Sequence, residues 1–121
     1  MKRGACVIAM IFAALMASSV ASAFDVYGIG DMPIRYMSEE DLTIFKAAVI
    51  RTLDQSADGV PAIWTNQNTG AHGTLTPMAS FKQQEQECRK LEVANSAGGR
   101  DNRSVFTLCK LPDGDWKVYK Q

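Results

Sequence analysis

The hydrophobic pattern of the chain changes its period near the middle. Over residues 39–57, apolar side chains recur every three or four positions, at Leu42, Phe45, Val49 and Leu53. Ser38 precedes this stretch and can cap the free N–H groups of a helix, and the acidic residues after it complement the positive end of the helix dipole. The spacing therefore predicts one amphipathic α-helix over residues 39–57, which ends near Gly59 and Pro61.

After Pro61 the apolar side chains alternate with polar ones, which is the period of a β-strand. Turns rich in glycine, asparagine and aspartate divide this half of the chain. Pro77 is expected to end the second strand. A four-residue turn before that strand places Trp64 opposite Gly73, where the absence of a side chain leaves room for the indole ring. The predicted strands cover residues 62–66, 71–76, 86–95, 103–111 and 116–120.

The two longest predicted strands define a testable register. If their hairpin turns about Gly98 and Gly99, direct pairing outward from the turn brings Cys88 opposite Cys109. Facing residues at a non-hydrogen-bonded position of an antiparallel pair are close enough for a disulfide. Alternation then points the cysteines to one side of the hairpin. The side that faces the helix would carry Arg89, Leu91, Val93, Phe106 and Leu108.

One helix followed by a run of antiparallel strands is typical of the α+β class. We predict an N-terminal amphipathic helix packed on a curved antiparallel sheet of four to five strands, within residues 38–121. Residues 24–37 show little periodicity, because Gly28, Gly30 and Pro33 interrupt them. This segment is expected to be an extended or loosely ordered lead-in.

The first residues predict export. Two basic residues precede an apolar run at residues 5–20, and an A-x-A segment follows that ends at Ala23. A charged start, an apolar centre and a small-residue exit are the three parts of a secretory signal peptide. The run is shorter than the roughly 20 residues of a membrane-spanning helix. We therefore expect cleavage between Ala23 and Phe24 rather than an uncleaved anchor, and a mature chain without a transmembrane segment.

Removal of this leader changes the charge and the cysteine count. The full chain has 13 basic and 13 acidic side chains, and the loss of Lys2 and Arg3 leaves an acidic excess. Nucleic acid is therefore not an expected partner. The loss of Cys6 leaves only Cys88 and Cys109, and an even count in an exported protein indicates a disulfide. The alternative is two free buried thiols, and without a C-x-x-C pair a redox site is not expected.

Candidate catalytic groups are few. His72 is the only histidine, at or just past a turn. A typical zinc site needs three or four ligands, so no metal or cofactor is expected. A glycosidase-like hydrolase would need two carboxylates converging across a cleft. The carboxylates in question are Glu39, Glu40 and Asp41 at the helix start and Glu85, Glu87 and Glu92 along one strand region. The neighbouring basic residues Lys82, Arg89 and Lys90 favour a solvated edge for the second group.

Three large amphipathic side chains are candidates for a binding patch: Trp64, Trp116 and Tyr119. Such residues dominate the energetics of interfaces when they are exposed together. The alternative interpretation is that they pack in the core.

A series of positions from Gly59 onward carries a family resemblance. It comprises Trp64, Asn66 and Gly70, then Cys88 with Arg89, then Cys109, and finally Asp113, Gly114 and Trp116. This order resembles the C-terminal domain of the 17 kDa surface-antigen family of bacterial envelope proteins. In that family a W-x-N-x-x-x-G segment precedes a C-R pair, a second cysteine and a D-G-x-W ending. The resemblance covers roughly half the chain and implies an envelope-associated domain of unassigned activity.

Members of that family typically carry a lipid-attachment cysteine and a glycine zipper before this domain. Here Cys6 lies at the start of the apolar run rather than just after it, and Gly28 and Gly30 are too few for a zipper. We therefore expect a periplasmic or secreted protein, in association with the outer membrane if the family's location holds.

The leading hypothesis is a non-enzymatic structural or interaction module whose partner is another envelope component. One alternative is a small secreted ligand-binding or inhibitor domain, which would keep an open apolar pocket on the concave face of its sheet. The other alternative is the carboxylate-based hydrolase.

Overall fold

The computed structural model describes residues 33–119. The predicted leader, with its cleavage site at Ala23 and Phe24, lies outside these residues. Each strand pairs antiparallel with its neighbour in sequence, and the sheet is open, so the predicted α+β class is confirmed. The elements are a 3-10 helix at Pro33–Tyr36, α1 at Glu39–Gln55, β1 at Ala62–Thr65, β2 at His72–Gln83, β3 at Gln86–Ala97, β4 at Arg100–Lys110 and β5 at Trp116–Val118.

Helix α1 begins where the sequence predicts, because Ser38 caps it. The Ser38 hydroxyl accepts the N–H of Asp41 at 3.0 Å, and the Asp41 carboxylate accepts the N–H of Ser38 at 2.9 Å. This reciprocal capping box satisfies two backbone donors that have no partner within the helix. The helix ends at Gln55, two residues before its predicted end, since Ser56 is already extended.

The predicted register of β3 and β4 is confirmed. Cys88 lies opposite Cys109, and Leu91 lies opposite Phe106. Consecutive side chains along each strand point alternately towards α1 and away from it. We call the side that points away from α1 the outer face of the sheet. Val105 on the outer face is 51% exposed. The core between α1 and the sheet contains Phe45, Ala48, Val49, Leu53, Leu75, Leu91, Val93 and Leu108.

The predicted end of the second strand at Pro77 is wrong. β2 continues through Pro77, with a register shift at Met78, so most of residues 78–84 are strand rather than connection. The carbonyl oxygen of Pro77 accepts the N–H of Gly59 at 2.6 Å. The backbone of Pro77 therefore faces the connection between α1 and the first residue of β1, where a missing N–H disrupts no ladder.

The described end of the lead-in is a short helix rather than the extended backbone that we predicted. Pro33 is buried, and Ile34 packs against the core. The guanidinium of Arg100 lies 4.9 Å from the ring centroid of Tyr36. This 3-10 helix lies closest to β3 and β4, whereas α1 lies closest to β1 and β2, so the two helices cover adjacent parts of one sheet face.

The turn between β2 and β3 is strained, because Gln84 and Glu85 have φ angles of +49° and +68°. Glycine and asparagine adopt this left-handed conformation at lower cost. We expect the double change Gln84→Asn with Glu85→Gly to raise the free energy of unfolding by about 1 kcal/mol, measured by urea unfolding. The matched change Gly99→Ala, at φ +74° in the next hairpin, should lower it. An unchanged urea midpoint for the double variant would contradict the strain.

Candidate functional site

The two cysteines predicted to pair do form a disulfide. The Cα atoms of Cys88 and Cys109 are 4.0 Å apart, and their sulfurs are 2.08 Å apart. Cys88 is fully buried and Cys109 is 4% exposed. Thiol–disulfide exchange needs access for an attacking thiolate, so this buried cystine is a structural link between β3 and β4 rather than a redox centre.

The predicted aromatic patch does not form. Trp64 and Trp116 are 2% and 3% exposed, and only Tyr119 reaches the surface, at 37%. Each indole can be buried because its N–H has a partner. Trp64 Nε1 donates to Asn95 Oδ1 at 2.9 Å, and Trp116 Nε1 donates to Asp54 Oδ1 at 2.8 Å. The alternative of core packing is therefore correct for both tryptophans.

Trp64 lies opposite Gly73, as the sequence predicts. A Cβ on Gly73 would collide with Trp64 Nε1 and Asn95 Oδ1, and it would lie 2.6 Å from the carbonyl oxygen of Ala94. The missing side chain of Gly73 is therefore what lets the indole cross the strand and reach Asn95.

Gly73→Ala is expected to lower the free energy of unfolding by about 2 kcal/mol, because the added methyl displaces the Trp64–Asn95 hydrogen bond. Urea unfolding followed by tryptophan fluorescence measures this change. Thr74→Ala is the matched control, since Thr74 is the next residue and is half-buried on the outer face. Equal urea midpoints for Gly73→Ala and Thr74→Ala would show that the stability of the domain does not require glycine at position 73.

Asp41 is the centre of a polar cluster that the sequence did not reveal. It is 1% exposed. Its Oδ1 accepts from Asn66 Nδ2 at 2.7 Å and from Thr69 Oγ1 at 2.6 Å, while Oδ2 accepts the Ser38 N–H. A buried carboxylate with three donors fixes the start of α1 to the turn between β1 and β2.

Glu40 extends this cluster at the surface. Its Oε1 accepts from Asn66 Nδ2 and from Asn68 Nδ2, both at 2.9 Å. The Asn66 side-chain oxygen in turn accepts the N–H of Asn68 at 3.0 Å. We call Glu40, Asp41, Asn66, Asn68 and Thr69 the N-terminal clasp.

The N-terminal clasp holds both carboxylates ionised. Burial raises the pKa of Asp41, but hydrogen bonds from Thr69, the Ser38 N–H and Asn66 outweigh that effect and leave the pKa below its ordinary value. Hydrogen bonds from Asn68 and Asn66 lower the pKa of Glu40. A general acid needs a raised pKa, so neither group suits that role.

The fold also separates the candidate carboxylates at the start of α1 from those of the second group. Asp41 lies on the α1 side of the sheet, near the turn between β1 and β2. Glu85 occupies the turn at the other end of β2. Glu92 shares the outer face with Val105, which it faces across the strands, and its carboxylate lies 3.1 Å from Arg103 Nη1. Asp41 and Glu85 therefore lie near opposite ends of β2, and Asp41 and Glu92 lie on opposite sides of the sheet.

The lowered pKa values predict acid sensitivity. Carboxylates whose pKa falls on folding stabilise the protein above their ordinary values of 3.8 for Asp41 and 4.5 for Glu40, and this contribution is lost as the pH falls through the folded-state values. We expect a nearly constant urea midpoint from about pH 7 to 5 and a steep decline below about pH 4. Asp41→Asn should reduce that decline, and an equal decline in both proteins would contradict the assignment.

Arg89 forms a second cluster at the other end of α1. It is 7% exposed, so it is not part of the solvated edge that the sequence suggested. Its Nη1 donates to the carbonyl oxygen of Leu53 at 2.7 Å and contacts that of Thr52 at 3.4 Å. Nη2 pairs with Asp58 at 2.7 Å, and Nε donates to Ser80 at 2.9 Å. We call Arg89, Asp58 and Ser80 the C-terminal clasp.

The C-terminal clasp supplies a donor to the Leu53 carbonyl oxygen in the last turn of α1, while the Thr52 carbonyl oxygen also accepts the N–H of Ser56 at 2.9 Å. The hydrogen bond from Arg89 lowers the pKa of Asp58, so that carboxylate also stays ionised. Because Cys88 and Arg89 are consecutive in β3, alternation directs the sulfur to the outer face and the guanidinium to the helix. One dipeptide therefore joins β3 to both β4 and α1.

The positions that carry the family resemblance are thus structural. Trp64 and Asn66 are buried on the α1 side, and Gly70 has the φ of +82° that its turn requires. Gly114 adopts φ +96° in the turn before β5 and leads into buried Trp116. Residues 51–117, which contain all these positions, match the family of 17 kDa outer membrane surface antigens over more than half of the chain.

The chain belongs to the 17 kDa surface-antigen family. It is 31% identical over 83 residues to the 17 kDa surface antigen of Rickettsia bellii (strain RML369-C), and 29% identical over 81 residues to that of Rickettsia prowazekii (strain Madrid E). These alignments cover 68% and 66% of this chain but 52% and 51% of the relatives, so the chain spans about half the length of the curated relatives it matches. No solved structure matches it.

The interior of this surface-antigen domain is filled. Phe45, Leu75, Leu91 and Leu108 have no exposed surface. The cavity beside Ile34 and Phe106 measures about 10 Å³, which is room for about one water molecule. An open apolar pocket was the feature expected of a ligand-binding domain, and the space between α1 and the sheet, as described, offers none.

The outer side of the surface-antigen domain carries a shallow depression of about 480 Å³ over β2, β3 and β4. Its lining includes His72, Ser96, Asp101 and Arg103. His72 is exposed, and its Nδ1 lies 3.0 Å from the carbonyl oxygen of Gly70. Within residues 33–119, no three His, Cys, Asp or Glu side chains are placed to share a metal ion. In that same range, no helix has the length and apolar character that crossing a membrane requires.

Proposed function

We propose that this chain is an exported envelope protein whose domain is a structural or interaction module without enzymatic activity. The observation that carries the proposal is the use of the buried polar side chains. Within residues 33–119 these are Asp41, Thr52, Asn66 and Arg89. All four bond to other parts of the same domain: the hydroxyl of Thr52 donates to the Ala48 carbonyl oxygen at 2.7 Å, and the other three form the clasps.

Because all four buried polar side chains already have hydrogen-bond partners within the domain, a structural role is favoured over a catalytic one. A catalytic acid or base is usually held with a shifted pKa near its working pH and with room for a substrate. Here the perturbed carboxylates have lowered pKa values and internal partners on their oxygens. The N-terminal clasp joins α1 to the turn between β1 and β2, the C-terminal clasp joins α1 to β3, and the cystine joins β3 to β4. Such cross-links suit a protein that presents a surface.

Export is the second part of the proposal. The leader predicted over residues 1–23 would deliver residues 24–121 to the periplasm or beyond, which is an oxidising environment in which the Cys88–Cys109 disulfide can form. Relatives named surface antigens support an envelope location. We place the mature chain in the periplasm or outside the cell, associated with the outer membrane through another envelope component.

Fractionation with cross-linking in the native cell tests this proposal. We expect the protein in a periplasmic or outer-membrane fraction, cross-linked to an envelope component. Leu15→Arg, which interrupts the apolar run of the leader, is the matched control and should leave the chain in the cytosol. A wild-type chain found in the cytosol, or one in the periplasm that cross-links to no envelope component, would contradict the proposal.

A further inference from the structure

Strand β4 has an edge over residues 100–106 to which no other described strand is paired. β5 pairs with β4 only at residues 108–110, and the N–H of Tyr119 adds one hydrogen bond to the Thr107 carbonyl oxygen at 2.8 Å. Among residues 33–119, no backbone group continues this ladder towards Arg100. We call residues 100–106 the β4 edge.

The turn fixes which backbone groups the β4 edge exposes. Gly98 and Gly99 form a two-residue turn with φ of +58° and +74°, which makes Ala97 and Arg100 a hydrogen-bonded pair. Backbone groups alternate between the two sides of a strand. The even residues of β4 therefore bond to β3, and the odd ones, Asp101, Arg103 and Val105, direct their N–H and C=O groups outward. The bond from Tyr119 to odd-numbered Thr107 agrees with this assignment.

We propose that the β4 edge is a docking surface for the β4 edge of a second copy of this chain. The two strands pair antiparallel about a two-fold axis, so that the two sheets become one continuous sheet. This contact is isologous, because each copy contributes the same residues to it. The inference goes beyond the proposed function and holds whichever compartment the protein occupies.

Charge complementarity selects the register. With Asp101 of one copy opposite Arg103 of the other, the two-fold axis creates two opposite-charge pairs and places Asn102 opposite its own counterpart. Sliding the strands one step either way would place Arg103 opposite Arg103, or Asp101 opposite Asp101, which is unfavourable. A further step would place Asp101 opposite Thr107, whose carbonyl oxygen already accepts the Tyr119 N–H.

Both charged side chains are available for this contact. Asp101 is exposed, and the Arg103 side chain is 70% exposed even though it lies 3.1 Å from Glu92. Charges on an edge strand usually prevent indiscriminate pairing. Asp101 precedes Arg103 by two positions, so the strand favours a partner in which the basic residue comes first. A second copy of the same strand, running antiparallel, presents the two charges in that order.

Analytical ultracentrifugation tests the contact. The sample is the protein expressed from the complete gene and purified in whatever processed form the cell produces. We expect a concentration-dependent dimer of the wild type. Arg103→Asp and Asp101→Arg should each raise the dimer Kd by about tenfold or more, since each replaces two opposite-charge pairs with two like-charge pairs. The swap Asp101→Arg with Arg103→Asp restores both pairs and should return the Kd to within about threefold of the wild type.

Two controls separate an effect on the dimer contact from an effect on the fold. Glu92→Gln removes the intrachain partner of Arg103 and should leave the Kd unchanged. At protein concentrations far below the dimer Kd, the urea midpoints of all variants should match, because the substituted side chains are exposed or lie in a surface ion pair. A wild type that stays monomeric at every concentration would overturn the inference. That holds even if hydrogen exchange shows that other residues of the chain protect the amides of residues 101, 103 and 105. A dimer whose Kd ignores the charge reversals would overturn it too.

Discussion

Replacing Cys88 or Cys109 with serine is expected to lower the free energy of unfolding by about 3 kcal/mol. The two cysteines are 21 residues apart in sequence, so the disulfide closes a loop that would otherwise add conformational freedom to the unfolded chain. The effect is large for a domain of this size, whose core alone gives marginal stability. Both sulfurs are buried, so the serine hydroxyls would also lack the packing that the sulfurs have.

Urea unfolding with and without a reducing agent measures this effect. Reduction of the wild type should lower the midpoint about as far as either substitution, and it should not change the midpoint of the Cys88→Ser, Cys109→Ser double variant. Cys6→Ser is the matched control, because the proposed cleavage removes Cys6 with the leader. Equal stability of the oxidised and reduced wild type would refute the structural role of the disulfide.

Asp41→Ala is expected to lower the free energy of unfolding by about 3 kcal/mol. The change removes the carboxylate half of the capping box, so the Ser38 N–H loses its acceptor, and it leaves donors of Asn66 and Thr69 without their buried acceptor. An unsatisfied buried donor costs about 1 to 3 kcal/mol, and Asp41→Ala leaves more than one such donor.

Glu39→Ala is the matched control for this variant. Glu39 lies in the same first turn of α1 but is exposed, so its substitution should change the free energy of unfolding by less than about 0.5 kcal/mol. Thermal and urea unfolding of the two variants side by side measure the difference. If both variants unfold together, the N-terminal clasp does not stabilise the domain.

The features that follow from local rules could be predicted from the sequence. The start of α1 follows from a capping residue and apolar spacing, and both are visible within a few positions of Ser38. The pairing of Cys88 with Cys109, and of Trp64 with Gly73, follows from counting outward from a recognised turn. A hairpin is a local structure, so its register needs no knowledge of the rest of the fold.

The features that depend on how α1 docks could not be predicted in this way. Asp41 meets Asn66 across 25 residues of sequence, and Arg89 meets Leu53 across 36. Trp116 reaches Asp54 across 62 residues, and this distant partner is what allows its burial. The one clue to the N-terminal clasp was the position of an aspartate three residues after Ser38, where its side chain can return to the cap.

The continuation of β2 through Pro77 was missed for a related reason. Proline interrupts a strand only where its nitrogen would have to donate to a neighbour. At Pro77 the neighbouring strand β1 has already ended, and the sequence does not show how far β1 extends along β2.

Export of the chain precedes oxidation of its two remaining cysteines in the proposed maturation. Intact mass spectrometry of the protein from its native cell, after alkylation of free thiols under denaturing conditions, tests this directly. We expect a chain that begins at Phe24 and carries no alkyl group. Reduction followed by a second alkylation should then add two alkyl groups. A full-length chain with alkylated Cys88 and Cys109 before any reduction would contradict this maturation.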